Sequence, residues 1–68
     1  MKDTIKNIVH ELRMKRGITQ EALAEALSVS RQTVIAIERG NYAPSVLLAL
    51  KIGTFFQTSV ERIFTIHE

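Results

Sequence analysis

There is no cysteine anywhere in the chain. This excludes a disulfide framework and a thiolate metal site, and it fits a reducing, cytoplasmic location. Long apolar runs are also missing. The most apolar-rich stretch, Val46 to Phe56, is broken by Lys51 and is too short to cross a bilayer, and nothing reads as a signal peptide. No membrane partner is expected. Proline occurs once and glycine three times, without a linker, repeat or low-complexity tract in the 68 residues. Residues 1–68 therefore read as one domain, with no room for a small-molecule effector domain. Catalytic chemistry is equally scarce. His10 and His67, the only histidines, are far apart in sequence and have no convincing carboxylate or thiolate partner. No metal or other cofactor is expected, and His10 reads as a surface residue. Glu21 and Glu25, one turn apart, read as a solvated helix face. With no Gly-rich phosphate loop and no nucleophile–base pair in sight, an enzyme is the least supported class.

What is present points to a small helical bundle. The hydrophobic fraction of 46% is that of a globular domain. Nine Lys and Arg against seven Asp and Glu give a net charge of +2, so placement matters more than total. Arg13, Lys15 and Arg16 cluster near the end of one predicted helix, while Arg31 and Arg39 bracket another. One basic face, as nucleic-acid binding requires, is compatible with this pattern.

Five helices are predicted. The first runs from about Asn7 to Arg16, with Ile8, Val9 and Leu12 as its apolar stripe and Gly17 as a left-handed terminator. The second starts after Thr19 and covers Gln20 to Leu27, with Leu23, Ala24 and Leu27 inward. After Ser28 and Val29, Ser30 caps a third helix that reaches about Arg39 and is stopped by Gly40 and Asn41. A loop through Tyr42, Ala43 and Pro44 leads to Ser45, which caps a fourth helix ending at Phe56. Ser59 caps a short fifth helix to about Phe64. Residues Met1 to Lys6 either extend the first helix or form a strand against the alternating stretch Ile63 to His67.

Only three residues join the second and third helices, so the two must cross steeply, at roughly 90–120°. One of them can then brace across a DNA backbone while the other projects into the major groove. On the third helix Val34 and Ile37 point inward, and Arg31, Gln32, Ile35 and Ala36 lie opposite. Arginine can donate twice to guanine, glutamine can pair with the adenine edge, and alanine or isoleucine can touch a thymine methyl. From the residues alone, Arg31 and Gln32 are equally readable as a solvated first turn.

The segment from Gln20-Glu21-Ala22-Leu23-Ala24 through Val29-Ser30-Arg31-Gln32-Thr33-Val34 to Ile37-Glu38-Arg39-Gly40 resembles the XRE family, the lambda repressor/Cro-like helix-turn-helix regulators. The likeness continues through Tyr42, Pro44-Ser45, Leu48 to Ile52 and Val60 to Phe64. Within the family the chain is most similar to the small cytolysin operon repressor type. The resemblance implies an all-α, five-helix domain with a small terminal sheet, and a dimeric repressor reading a pseudo-palindromic site in double-stranded DNA. It implies base contacts from Arg31 and Gln32, with Ile35 and Ala36 beside them on the reading face. It implies backbone contacts from Gln20, Thr33, Asn41 and Tyr42, with Ser30 and Arg39 at the ends of the same helix. Ala43 stands where many relatives carry asparagine, and Ile35 and Ala36 where others carry polar readers. Specificity is then expected to lean on thymine methyls and DNA shape.

In related repressors the residues matching Arg13 and Glu38 form a buried salt bridge, and the same is expected here. The fourth helix offers Val46, Leu48, Ala49, Ile52 and Phe56 as an inward face. Leu47 and Phe55, joined by Phe64 and Ile66, are expected outside as a homodimer interface. Two alternatives stay open. One is a DNA-binding antitoxin or restriction-modification controller built on the same domain. The other is a helical adaptor that binds protein.

Overall fold

The computed structural model describes residues 4–67. Met1, Lys2 and Asp3 of the ambiguous N-terminal stretch lie outside the described residues. The order of elements is β1 (Thr4–Asn7), α1 (Val9–Arg16), α2 (Gln20–Leu27), α3 (Arg31–Glu38), α4 (Val46–Phe56), α5 (Val60–Ile63) and β2 (Phe64–His67). This is the expected five-helix, all-α body, completed by a small terminal sheet.

The helices begin and end for local reasons. Thr19, Ser30 and Ser45 each sit in extended backbone, and their hydroxyls accept the N–H of Ala22, Thr33 and Leu48. Ser59 has the same backbone geometry before α5 without a side-chain bond. Helices α1 to α4 all end in the same way, with paired bonds that satisfy otherwise orphaned carbonyls. After α2, Ser28 N–H reaches Glu25 O and Val29 N–H reaches Ala24 O; after α4, Gln57 N–H reaches Thr54 O and Thr58 N–H reaches Gly53 O. The left-handed residue that this turn needs is Gly17 or Gly40 at two ends. At the other two it is Ser28 (φ 60°) and Gln57 (φ 53°).

The core gathers one face of every helix. Val9, Leu23, Ala24, Leu27, Val34, Ile37, Leu48, Ile52, Phe56 and Ile63 are buried together. On α4 the inward row is Leu48, Ile52 and Phe56, with Gly53. Val46 does not join it and is 77% exposed, because it lies roughly 120° around the helix from that row. Ile8 is likewise partly exposed, leaving Val9 as the buried member of the α1 stripe.

The strands pair antiparallel, Thr4 opposite His67 and Asn7 opposite Phe64. This shifts two predicted helix boundaries. Helix α1 starts at Val9 and not at Asn7, because the Asn7 carboxamide oxygen accepts the Val9 N–H at 3.0 Å while its nitrogen donates to Ile37 O at 2.9 Å. Helix α5 stops at Ile63, and Phe64 turns extended to enter the sheet. Helix α3 ends at Glu38, with Arg39 as its cap.

Candidate nucleic-acid interface

Helices α2 and α3 pack Leu23, Ala24 and Leu27 against the core side of Val34 and Ile37, and Ser28 turns the chain between them. The far side of α3 is thereby left open. Arg31 and Gln32 are exposed there, whereas Ile35 and Ala36 are half-buried and form a low apolar floor. Gln32, Thr33 and Ala36 share a shallow hollow with Tyr42. At the other end, Arg31 shares a polar hollow with Thr19, Gln20, Glu21 and Arg13. Arg39 and Asn41 are exposed beyond the helix. The open side of α3 is thus flanked by the start of α2 on one side and by the α3–α4 loop on the other.

Two of the polar residues on this face also serve the fold. The Ser30 hydroxyl accepts the Thr33 N–H at 3.1 Å and lies 2.9 Å from the Thr33 hydroxyl. Both caps leave the amides of Gln20 and Glu21, and of Arg31 and Gln32, without an intrahelical acceptor. These helix starts carry partial positive charge, which favours anions.

Behind the face lies a polar cluster that ties α1, α2 and α3 together. Arg13 Nε donates to Glu38 Oε2 at 2.6 Å and Arg13 Nη2 to Glu38 Oε1 at 3.1 Å. Arg13 Nη1 donates to Ile18 O at 2.9 Å. Gln20 Nε2 donates to Glu38 Oε1 at 3.1 Å. The Arg13 and Glu38 side chains are only 10% and 5% exposed. Burial alone pushes the Glu38 carboxyl up, but bonds from Arg13, Gln20 and His10 and the guanidinium charge outweigh it and hold it below its ordinary value. The bond to Glu38 raises Arg13, against the opposing effect of burial.

Several expectations need correction. Of the cluster of Arg13, Lys15 and Arg16, only Lys15 and Arg16 are exposed. Arg13 is consumed in the ion pair, and Arg16 donates to Phe55 O at 3.0 Å while stacking over Phe55 and Phe56. His10 has a carboxylate neighbour after all: its Nδ1 lies 3.2 Å from Glu38 Oε1 and 3.1 Å from Arg13 Nη2. The sequence hid it because the partners are 28 residues apart. Phe55 and Phe64 are half-buried against the core and not outward. Leu47 and Ile66 are exposed. Leu50, not singled out in the sequence, is also exposed and lines a groove with Leu47, Ala26 and Phe55. Its spacing of three from Leu47 was the available signal. A second apolar spot pairs Ile5 with Ile66 across the strands.

Among the described residues no His, Asp and Glu side chains group to hold a metal ion, and no helix is long and apolar enough to cross a membrane.

Comparison with known proteins agrees with this geometry. Residues 9–63 match the family described as helix-turn-helix. The HTH-type transcriptional regulator YgzD of Bacillus subtilis is 52% identical over 64 residues, 94% of this chain and 97% of that protein. An HTH-type transcriptional regulator of Methanocaldococcus jannaschii is 52% identical over 60 residues, 88% of this chain and 91% of its own length. Among solved structures, the restriction-modification controller protein C.AhdI from Aeromonas hydrophila superposes with a TM-score of 0.72 and 31% identity. The match covers 79% of this chain and 82% of that one.

Proposed function

This chain belongs to the helix-turn-helix family of XRE type and is a DNA-binding regulator of transcription; we propose that it acts as a homodimeric repressor at a pseudo-palindromic operator. The observation that carries the mechanism is the open side of α3, with Arg31 and Gln32 exposed at its start and the α2 terminus beside them. Inserted in the major groove, Arg31 and Gln32 reach base edges, and the low floor of Ile35 and Ala36 lets the helix approach thymine methyls. Gln20, Ser30, Thr33, Arg39, Asn41 and Tyr42 grip backbone phosphates around it, and those contacts set orientation and not sequence.

Dimerisation follows from size. An eight-residue helix is about 12 Å long, enough for roughly three or four base pairs at about 3.4 Å each. Two copies related by a two-fold axis would place two reading helices about 34 Å apart, one DNA turn. Leu47 and Ile66 supply exposed apolar surface for the seam, with Phe55 and Phe64 behind them. The protein works in the cytoplasm, by binding and not by catalysis, and answers to its own concentration, a partner protein or temperature.

The likeness to C.AhdI favours one second reading, a controller in a restriction-modification circuit. An adjacent methyltransferase gene would distinguish it. The test of the main reading is selection of bound duplexes from genomic fragments, followed by titration of the selected site. One enriched symmetric sequence is expected, with affinity falling linearly in log–log form as salt rises. No enrichment, or affinity indifferent to salt, would instead point to an adaptor that binds protein.

A further inference from the structure

We propose that Glu38, buried behind the reading face, is a positioning residue for DNA: it orients the Gln20 carboxamide so that the second amide hydrogen is presented to a backbone phosphate. The inference rests on the reading of α2 and α3 as a DNA-binding element.

Glutamine is a long side chain that loses much rotamer freedom when it is fixed, so an exposed one is a poor clamp unless something holds it in advance. Gln20 is held. Its Nε2 lies 3.1 Å from Glu38 Oε1, and a carboxylate only accepts, so the –NH2 side of the amide must face it. Fixing one of the two hydrogens of a planar amide fixes the direction of the other. The acceptor is itself immobile. Arg13 grips the carboxylate at both oxygens, from 2.6 and 3.1 Å, and Arg13 is anchored in turn to Ile18 O. His10 lies against Oε1 at 3.2 Å.

Charge is consistent with the arrangement. A bare carboxylate next to a phosphate would repel it. Paired with Arg13, Glu38 is neutralised, and the polar hollow above it is lined by Thr19, Gln20, Arg13 and Arg31 as well as Glu21. The carboxylate that joins α1 to α3 therefore also sets the grip of α2 on the duplex, although it touches no DNA.

The test uses the whole chain, three variants and one combination of them. Arg13→Met/Glu38→Leu replaces the ion pair by apolar groups, an exchange that buried pairs often tolerate. Arg13→Met/Glu38→Gln restores a neutral acceptor for Gln20. Gln20→Met removes the clamp. Nitrogen–proton correlation spectra of the free proteins read the Gln20 side-chain amide directly. Its two protons are expected to be well separated in the parent. They should collapse to the free-glutamine position in Arg13→Met/Glu38→Leu and recover in Arg13→Met/Glu38→Gln, while the backbone signals of α2 and α3 keep their dispersion. Binding is then measured on duplexes from the selection above. Arg13→Met/Glu38→Leu should bind operator and unrelated DNA alike about tenfold more weakly per half-site, the loss expected of one hydrogen bond to a charged group. Arg13→Met/Glu38→Gln should recover most of that loss. In a Gln20→Met background, adding Arg13→Met/Glu38→Leu should cost nothing further. Equal losses with and without Gln20, or a Gln20 amide signal unmoved by Arg13→Met/Glu38→Leu, would show that Glu38 serves only the fold. If the parent protein itself binds no duplex, the DNA reading fails, and the amide signals of the free protein still decide whether Glu38 orders Gln20.

Discussion

Replacing Glu38 by glutamine tests how much of this small domain depends on one buried carboxylate. Glu38 is surrounded by Arg13, Gln20 and His10. The substitution keeps the shape but removes the charge, and it turns an amide –NH2 toward the guanidinium or toward Gln20. Arg13, almost wholly buried, then faces at best one neutral acceptor oxygen in place of the carboxylate, besides Ile18 O and the His10 ring. Breaking a buried pair from one side costs about 3–5 kcal/mol. A domain of 68 residues has a total stability of roughly 3–10 kcal/mol, so the loss is a large share of the whole. At about 4–8 °C per kcal/mol for this size, the thermal midpoint should fall by at least roughly 12 °C at neutral pH.

The pH dependence gives an independent check with a fixed sign. The Glu38 pKa in the folded state is lowered, so its contribution is fully present above the unfolded value of about 4.3. It is lost as pH falls through the lower folded value. Thermal unfolding followed by circular dichroism from pH 7 to pH 3 should therefore show the gap between parent and Glu38→Gln narrowing on the acid side. Arg13→Met/Glu38→Leu should recover most of the stability. A midpoint shift under about 3 °C at pH 7, less than 1 kcal/mol is worth at this size, would refute the account of Glu38 as a buried, ionised partner. So would a gap that stays constant down to pH 3.

Four further outcomes are expected. Gln57→Gly relieves a left-handed backbone at φ 53° and should raise stability by about 0.5–1 kcal/mol in denaturant titration, after the entropy cost of glycine. Gly53→Ala should lower it by about 1–3 kcal/mol despite the better helix propensity of alanine, because the new Cβ would lie 2.9 Å from Thr58 O. Sedimentation should show a dimer at micromolar concentration and monomers for Leu47→Glu or Ile66→Glu; a monomeric parent would end the dimer proposal. Arg31→Ala and Gln32→Ala should each relax preference at one base position by about 1–3 kcal/mol, whereas Gln20→Ala should weaken all duplexes evenly, and the reverse pattern would remove α3 as the reading head.

Much of the bundle was legible because its signals are local. Thr19, Ser30 and Ser45 mark three helix starts within a residue, and Gly17 and Gly40 mark two ends. The two ends closed by Ser28 and Gln57 carry no such mark, since neither residue type advertises a positive φ. Asn7 misled because its side chain imitates the first turn of a helix while its backbone pairs with the strand residue Phe64, at the far end of the chain. Phe55 of α4 and Phe64 of β2 misled differently. A period of 3.6 assigns Phe55 outward, but Arg16 from α1 folds over it and donates to its carbonyl. Gly53 gave no warning, because its need for a hydrogen in place of a methyl arises from the turn after α4, where Thr58 N–H returns to Gly53 O.

The same long-range contacts reshape the electrostatics. Of the nine cationic side chains in the sequence, Arg13, Arg16 and Lys51 each donate to acceptors within the protein: a carboxylate, the Phe55 carbonyl and the Leu27 carbonyl at the end of α2. All three fasten helices together, but only Arg13 is buried and paired with a carboxylate; Arg16 and Lys51 stay exposed and keep their charge. On the α2–α3 face the exposed cations are Arg31 and Arg39, with Glu21 opposing them at the α2 start. A face so sparsely charged cannot hold DNA by a broad field, because the sequence-independent term grows with each phosphate neutralised. On the proposed reading its phosphate contacts come from oriented groups, the free amides at two helix starts and a carboxamide fixed from behind. That dependence on orientation is why, on this reading, a largely buried ion pair matters to a surface that binds.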